Sequence, residues 1–308
     1  MIGPRIDARH LHLLRELAAR GTVAAVAAAT HRTPSAVSQE LRSASLAAGV
    51  PLTERDGRRL RLTPAGRVLA EAAHDVAAAL TRAEAKLDAL LNQPAGHVHV
   101  ITLPSAGTYL LPPVMAALAA QPGAPITMTV DDADTAEHSF ADLAGDADIV
   151  IGHSLHGPVP AGTDGLVTQV LAQESLDVAV PAAHPLAALG AVHPAQLMGE
   201  RWIGVPERYP FDSLRLAIEA AGQGQVQVVQ RLRDNGLVRA MIAAGLGIGI
   251  LPRNTEASGD DVRLLPLQGV SARRWVVAIM RADRAERAAV QGVLGRIRAG
   301  VAQRDAGR

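Results

Sequence analysis

Between Thr22 and Arg42 the apolar positions fall into two short groups split by His31-Arg32-Thr33-Pro34. This pattern predicts two short helices joined by a tight turn. Thr33 is suited to cap the second helix, because its hydroxyl can accept from an amide left open in the first turn. Pro34 suits the first helical position, where its fixed φ helps and its missing N–H costs nothing. From that start Val37 and Leu41 lie four apart and point into a core. Pro34, Ser35, Ser38, Gln39 and Arg42 share the opposite face. Short hydroxyls, one amide and one guanidinium on one face suit a helix that reads base edges in the major groove of double-stranded DNA. Taken alone, an Ala-rich helix pair is also an ordinary bundle fragment, so the choice depends on the next segment of the chain.

Residues 54–63 read Glu-Arg-Asp-Gly-Arg-Arg-Leu-Arg-Leu-Thr. Asp56-Gly57 is a hairpin signal, since Gly takes positive φ without a Cβ clash. In the second strand Leu60 and Leu62 face one side, and Arg59, Arg61 and Thr63 the other. With Arg58, this is either a solvated hairpin or a wing that touches phosphates and the minor groove. Its place beside the helix pair favours the wing. Thr63-Pro64 then repeats the cap-and-proline start, and a helix is predicted from about residue 64 to 91, roughly 40 Å long. Leu69, Ala73, Val76, Leu80, Ala83, Leu87 and Leu90 recur in steps of four and three along it. That narrow seam predicts a partner helix from a second copy rather than an amphipathic helix lying on its own domain.

Gln93-Pro94-Ala95-Gly96 reads as a hinge. Beyond it, strand and helix patterns alternate. Strands are expected at Val98–Leu103, Ile126–Val130 and Asp148–Ile151, with helices at Leu111–Ala120 and around Glu137–Leu143. After Pro158-Val159-Pro160 a second set begins near Leu166. Its strands are Leu176–Val180, Trp202–Val205, Val226–Gln230 and Ile248–Leu251, with helices Ser213–Ala221 and Gly236–Ala244. A strand at Arg274–Met280 and a helix from about Arg284 to Val301 close the chain. Alternation of this kind predicts two mostly parallel sheets with helices outside.

The helix pair, Gly49-Val50-Pro51-Leu52-Thr53-Glu54-Arg55, the wing and Leu62-Thr63-Pro64-Ala65-Gly66 together resemble the N-terminal domain of LysR-type transcriptional regulators. Order and spacing hold over more than sixty residues. The chain departs from the family at Ala44-Ser45, usually Leu-Glu, and at Thr53, usually Phe, while Glu40 sets an acid near the reading face. Further on, Leu110-Leu111-Pro112, the run Asp146 to Ile151, the run Val180 to Leu186 and the run Ala243 to Pro252 are similar to the family's effector-binding domain. The resemblance implies an α+β fold. It consists of an N-terminal winged helix-turn-helix over 1–66, a long linker helix for dimerisation over 67–92, and a C-terminal periplasmic-binding-protein-like effector domain of two α/β subdomains over 93–308. Subdomain I would take about 97–160 and 270–308, and subdomain II about 161–269. The resemblance also implies dimers that pair into tetramers, a small-molecule effector and RNA polymerase as a partner.

Ligands in such folds bind at the carboxyl ends of strands, near helix starts. The turn Pro104-Ser105-Ala106-Gly107-Thr108 offers amides, hydroxyls and a helix dipole that suit a carboxylate, and Ser105 matches a Ser or Thr with which the family contacts its effector. Ser105 reads equally as a plain N-cap. His153-Ser154 follows the third strand and should face the same cleft. Across it lie Phe211 and Ser213, the latter a helix cap or a ligand contact, and Gly247 falls near the crossover. Aromatics make up only 2% of the residues, which argues against a pocket built on ring stacking.

Charge sharpens this picture. The whole chain is neutral, yet residues 1–66 hold ten arginines against five carboxylates, about +5, leaving about −5 for the rest. A basic head on an acidic body suits DNA binding through one domain. With no cysteine, disulfides, thiol catalysis and Cys-held metals are excluded. No signal-peptide pattern or bilayer-length apolar run is legible, so a cytoplasmic protein is expected. Gly245, Gly247 and Gly249 have the wrong spacing for a dinucleotide fingerprint and precede a strand. His97 with His99, and His153 with His156, lack a clear third ligand for a metal. No nucleophile elbow is present. The expectation is therefore a regulator with no catalytic residues, metal or cofactor. A cytoplasmic solute-binding receptor without operator-specific binding, and an α/β enzyme with a helical appendage, are the alternatives.

Overall fold

A computed structural model of the chain describes residues 6–56, 59–90, 95–120, 123, 125–207, 209–255 and 259–306. In chain order the elements begin with helices α1 (Ala8–Arg20), α2 (Val23–Ala29) and α3 (Pro34–Ala48), strands β1 (Thr53–Asp56) and β2 (Arg59–Leu62), and helix α4 (Pro64–Leu90). Next come β3 (Gly96–Thr102), α5 (Pro104–Ala119), β4 (Ile126–Asp132), β5 (Ile149–Ser154), β6 (Val167–Pro181) and β7 (Arg201–Gly204). Then come α6 (Pro210–Gly222), β8 (Gln227–Arg231), α7 (Asn235–Ala243), β9 (Ile248–Pro252), β10 (Val262–Leu265), β11 (Arg273–Met280), α8 (Ala282–Ala285) and α9 (Ala288–Ala306). Contacts divide the chain into two units. One holds residues 1–94 with 281–291, the other 95–280 with 292–308.

In the first unit α1, α2 and α3 each start at a side-chain cap. The Asp7 carboxylate accepts from the amides of Arg9 (2.9 Å) and His10 (3.0 Å), and Thr22 and Thr33 accept from the amides of Ala25 and Ala36, each at 3.2 Å. Satisfying those amides locally lets short, Ala-rich helices persist. α1 and α3 end at Gly21 and Gly49, both at φ +71°, where a Cβ would be strained. Leu13, Leu14 and Leu17 of α1 pack with Val26 of α2 and with Val37 and Leu41 of α3. β1 and β2 pair antiparallel with Glu54 opposite Arg61. Gly57 and Arg58 at the expected turn lie outside the described residues, as do the side chains of Arg59 and Leu90.

α8 lies against α4 in this unit and brings a buried ionic cluster with it. Arg15 Nη1 donates to Asp283 at 3.0 Å, Arg281 Nη1 to Glu16 at 3.4 Å and Arg20 Nε to Glu16 at 3.0 Å. Burial opposes ionisation of Asp283, but Arg281 and Arg15 outweigh it and hold that carboxyl below its ordinary range.

The second unit has the two expected groups of strands, β3, β4, β5 and β11 on one side and β7, β8, β9 and β10 on the other, joined through β6. Its nine strands form one sheet in the order β4-β3-β5-β11-β6-β9-β7-β8, with β10 paired to β6. β3 runs parallel to β4 and β5, and β7 parallel to β8 and β9. Between these groups β11 and β6 pair antiparallel with each other, and β11 also pairs antiparallel with β5. β6 is one 15-residue strand that pairs with β11 through its first half and with β9 and β10 through its second. The late strand thus returns beside β5, and Pro158-Val159-Pro160 lies in a loop that does not divide the sheet.

Two helical expectations also change. The segment 137–145 forms two short 3-10 turns. α5 begins seven residues before the expected start and carries Pro112 and Pro113 inside it. Proline leaves the carbonyl four residues back without its helical donor. Arg304 Nη2 reaches the Tyr109 carbonyl at 3.4 Å and partly replaces that bond.

Candidate nucleic-acid interface and ligand cleft

α3 presents two contrasting faces. Val37, Leu41 and Ala44 are at most 1% exposed, whereas Pro34, Ser35, Gln39 and Arg42 are exposed and Ser38 is half-buried. Glu40 is ion-paired with Arg32, so its charge on this face is compensated. A groove of about 1030 Å³ runs between the start of α2, the polar side of α3 and the wing; Ser38, Arg42 and Arg55 line it with Thr22. Arg55 and Thr22 were not singled out in the sequence; the charge on the wing's first strand was the signal for Arg55. Arg61 is exposed on the wing.

Thr63 needs correction as a DNA contact. It is 9% exposed, donates its hydroxyl to the Pro51 carbonyl (2.8 Å) and accepts from the Gly66 amide (3.1 Å). A group used this way ties the loop before β1 to the start of α4, within the head itself. The α4 seam also divides. Ala73 is buried at 3% and Leu69 packs on the core of the head, so both serve their own unit. Val76, Leu80 and Leu87 are 37%, 54% and 57% exposed, and Ala83 is exposed beside them.

In the second unit a cavity of about 490 Å³ opens between the start of α5, the end of β5 and the start of α6. Arg274, 1% exposed on β11, forms its floor. Its Nε donates to Glu174 Oε2 at 2.8 Å and its Nη1 donates to Ser105 Oγ at 2.9 Å. Nη2 lies 2.6 Å from the same Glu174 oxygen without hydrogen-bond alignment. Glu174 Oε1 accepts from the Asn254 amide at 2.5 Å, and Thr255 Oγ1 donates to the Ser105 carbonyl at 2.6 Å. Because Ser105 Oγ accepts from the guanidinium, its own proton is left to donate. α5 starts at Leu103 without a side-chain cap, so Ser105 does not cap it.

His153 is 5% exposed and meets Phe140 and Phe211 edge-on, with ring centroids 5.9 and 6.0 Å away. Its Nδ1 has no hydrogen-bond partner. Burial, with the nearby Arg274 charge second, pushes its pKa down to about 3, so the ring is neutral. At the mouth Tyr209 donates to Asp134 and lies under the Arg233 guanidinium, 5.4 Å from the ring centroid.

Ser105, Thr108, His153 and Phe211 all line the cavity, as the sequence suggested. The other candidates do not. Ala106 is fully buried, and a Cβ on Gly107 would sit 2.7 Å from Thr102 Cγ2, so this glycine lets α5 pack on β3. Ser154 is fully buried and accepts from the His156 amide (3.2 Å). Ser213 donates to the Pro210 carbonyl (2.7 Å), and Gly247 closes on the Arg201 carbonyl, 2.8 Å from where its Cβ would be. Arg274 and Asp134 were missed. A charged residue opening an otherwise apolar strand, matched by Glu174 within another, was a usable signal for Arg274. The low aromatic content misled as well, because both phenylalanines and Tyr209 line this cavity.

His97 shares hydrogen bonds with Thr127 and Thr129, and His99 pairs with Asp131. Among the described residues no group of three or more His, Cys, Asp or Glu is arranged for a metal, and no helix is long and apolar enough to cross a membrane.

Comparison with known proteins bears on both regions. The family model for the bacterial regulatory helix-turn-helix proteins of the LysR family matches residues 8–67, and that for the LysR substrate binding domain matches residues 91–302. The transcriptional regulator CbbR of Xanthobacter flavus is 26% identical over 292 residues, covering 92% of this chain and 84% of its own. A full-length OxyR variant from Pseudomonas aeruginosa superimposes with a TM-score of 0.63 at 22% identity, over 96% of this chain and 98% of that one. Full-length CbnR in complex with its target DNA gives a TM-score of 0.52 at 19% identity, over 96% and 99%. At such identity the structural likeness speaks for the fold alone, but the substrate-domain match extends over more than half of the chain. The chain belongs to the LysR family, as a transcriptional regulator with a helix-turn-helix head and an effector-binding domain.

Proposed function

We propose that the protein binds an interrupted palindrome as a homodimer, with one α3 in each half-site and the wing on the flanking backbone. The observation that carries this reading is α3 itself, capped at Thr33, buried along Val37 and Leu41, and offering Ser35, Gln39 and Arg42 outward beside a groove with two arginines. The exposed row Val76, Leu80, Ala83 and Leu87 is the dimer seam, since a large apolar helix face calls for a cover. Pairing of dimers and contact with RNA polymerase are carried over from the family. A small effector in the cleft shifts the arrangement of the heads, and it acts only through a difference in affinity between the two arrangements. This reading places the protein with the genome, in the cytoplasm, and gives it no catalytic step.

The test is a footprint on DNA upstream of its own gene and on an unrelated fragment, at two salt concentrations. A protected, interrupted inverted repeat that persists at the higher salt supports the reading. Equal loss of protection on both fragments, there and on other genomic DNA, means phosphate binding alone and overturns it.

A further inference from the structure

The chain has two phenylalanines, two tyrosines and two tryptophans, and its cores are otherwise aliphatic. Both phenylalanines and Tyr209 nevertheless line one cavity. Phe140 is 1% exposed and serves the core, as Trp202 does elsewhere, but Phe211 and Tyr209 are only half-buried and give the cavity ring surface. Phe211 is half-buried at the wall, and the edges of Phe140 and Phe211 hold His153 between them. The ring surface of Phe211 and Tyr209 at the wall favours a flat, polarisable body against it.

The same cavity has one pole rich in donors. Ser105 has its hydroxyl proton to give and Arg274 Nη2 lacks an aligned acceptor; His153 Nδ1, a donor or an acceptor by tautomer, is buried without a partner. Buried polar groups left open in this way are satisfied by a ligand or by water. The positive charge there is limited, because Glu174 lies against Arg274. Asp132, Asp134 and Asp234 stand on the remaining walls against Arg233. A second negative charge on the ligand would meet those carboxylates. A cavity of ~150 Å³ is enough for benzene, so 490 Å³ takes one substituted ring with water.

We propose that the cleft is built for a singly charged aromatic carboxylate, its carboxylate on Ser105 and Arg274 and its ring against Phe211 and Tyr209. The proposal rests on the effector reading of this cavity and adds the chemical class to it.

Calorimetric titration of the full chain with four probes tests it: benzoate, cyclohexanecarboxylate, terephthalate and 2-phosphoglycolate. Benzoate is expected to bind best, several-fold better than its saturated analogue of equal charge. Terephthalate should bind at least tenfold more weakly and 2-phosphoglycolate more weakly still. Phe211→Leu should level benzoate with cyclohexanecarboxylate, and Ser105→Ala should weaken both by about tenfold. No benzoate binding up to its solubility limit, no preference for the ring, or tighter binding of either dianion overturns the proposal. The ligand-free operator footprint separates the two readings. An intact footprint with failed titrations sinks only the aromatic carboxylate, and benzoate binding without a footprint sinks only the operator reading.

Discussion

At the scale of the residue, His153 links the cleft to stability. An unfolded histidine titrates near pH 6.5, while the folded ring stays neutral down to about 3. Between those values the unfolded chain binds a proton that the folded chain does not. This contribution to stability is therefore whole above pH 6.5 and declines as pH falls, by roughly 1.4 kcal/mol per unit. Urea melts at pH 7 and pH 5 should show the loss, and His153→Gln should flatten that slope by about one proton relative to the parent. His12 and His74, also depressed chiefly by burial, keep their own share of the slope in both proteins. An equal slope in parent and variant would remove His153 from the explanation. Gly66 makes a second single-residue prediction. A Cβ there would lie 2.0 Å from the Leu52 carbonyl oxygen, which is backbone and cannot swing away. Gly66→Ala should destabilise the head by more than about 2 kcal/mol in thermal melts. Legibility was uneven at this scale. Ser105 and His153 were found because they end strands, whereas Arg274 was passed over because its strand reads as core and its buried partner Glu174 lies 100 residues earlier.

At the scale of the element, α4 does two jobs along one stripe. Its first turns cover the core of the head with Leu69, Ala70 and Ala73, and its later turns leave Leu80 and Leu87 exposed. Leu80→Glu should leave monomer stability within about 0.5 kcal/mol and weaken self-association, read as a lower mass in sedimentation at the same concentration. Unchanged association would move the dimer contact elsewhere. The heptad pattern predicted the seam but not the division, since Leu69 and Leu80 look alike in sequence and differ only in what α1 covers. Asp283→Asn should destabilise by about 3 kcal/mol, because Arg15 and Arg281 would be left buried and short of counter-charge. The alternation rule recovered β3, β7 and α6 nearly to their ends. It recovered only Leu176–Val180 of β6; the polar residues Thr168, Gln169, Gln173, Glu174 and Ser175 before that segment hide a strand that pairs with β11.

At the scale of the whole molecule, charge divides with the fold: ten arginines and five carboxylates lie in residues 1–66 of a chain that is neutral overall. The salt dependence of operator binding should therefore answer to the head alone. Arg42→Ala or Arg61→Ala should each reduce the slope of log K against log salt by about one. Gln39→Ala should leave the slope and relax base preference. If Arg42→Ala and Arg61→Ala left the slope unaltered, the groove and wing would not be phosphate contacts. The sequence pointed to a two-part protein, but the return of β11 between β5 and β6 is a long-range pairing that local periodicity does not encode.

The path of the chain between its two units bears on how such a protein can be recombined. It passes from one to the other after Pro94, after Met280 and after Gln291. A head cut out at Pro94 would keep Arg15 and Glu16 but lose Arg281 and Asp283, their buried partners. The head is therefore not a cassette. Grafting it onto another ligand domain, by gene fusion or by engineering, keeps those buried ion pairs only if the eleven residues 281–291 travel with it.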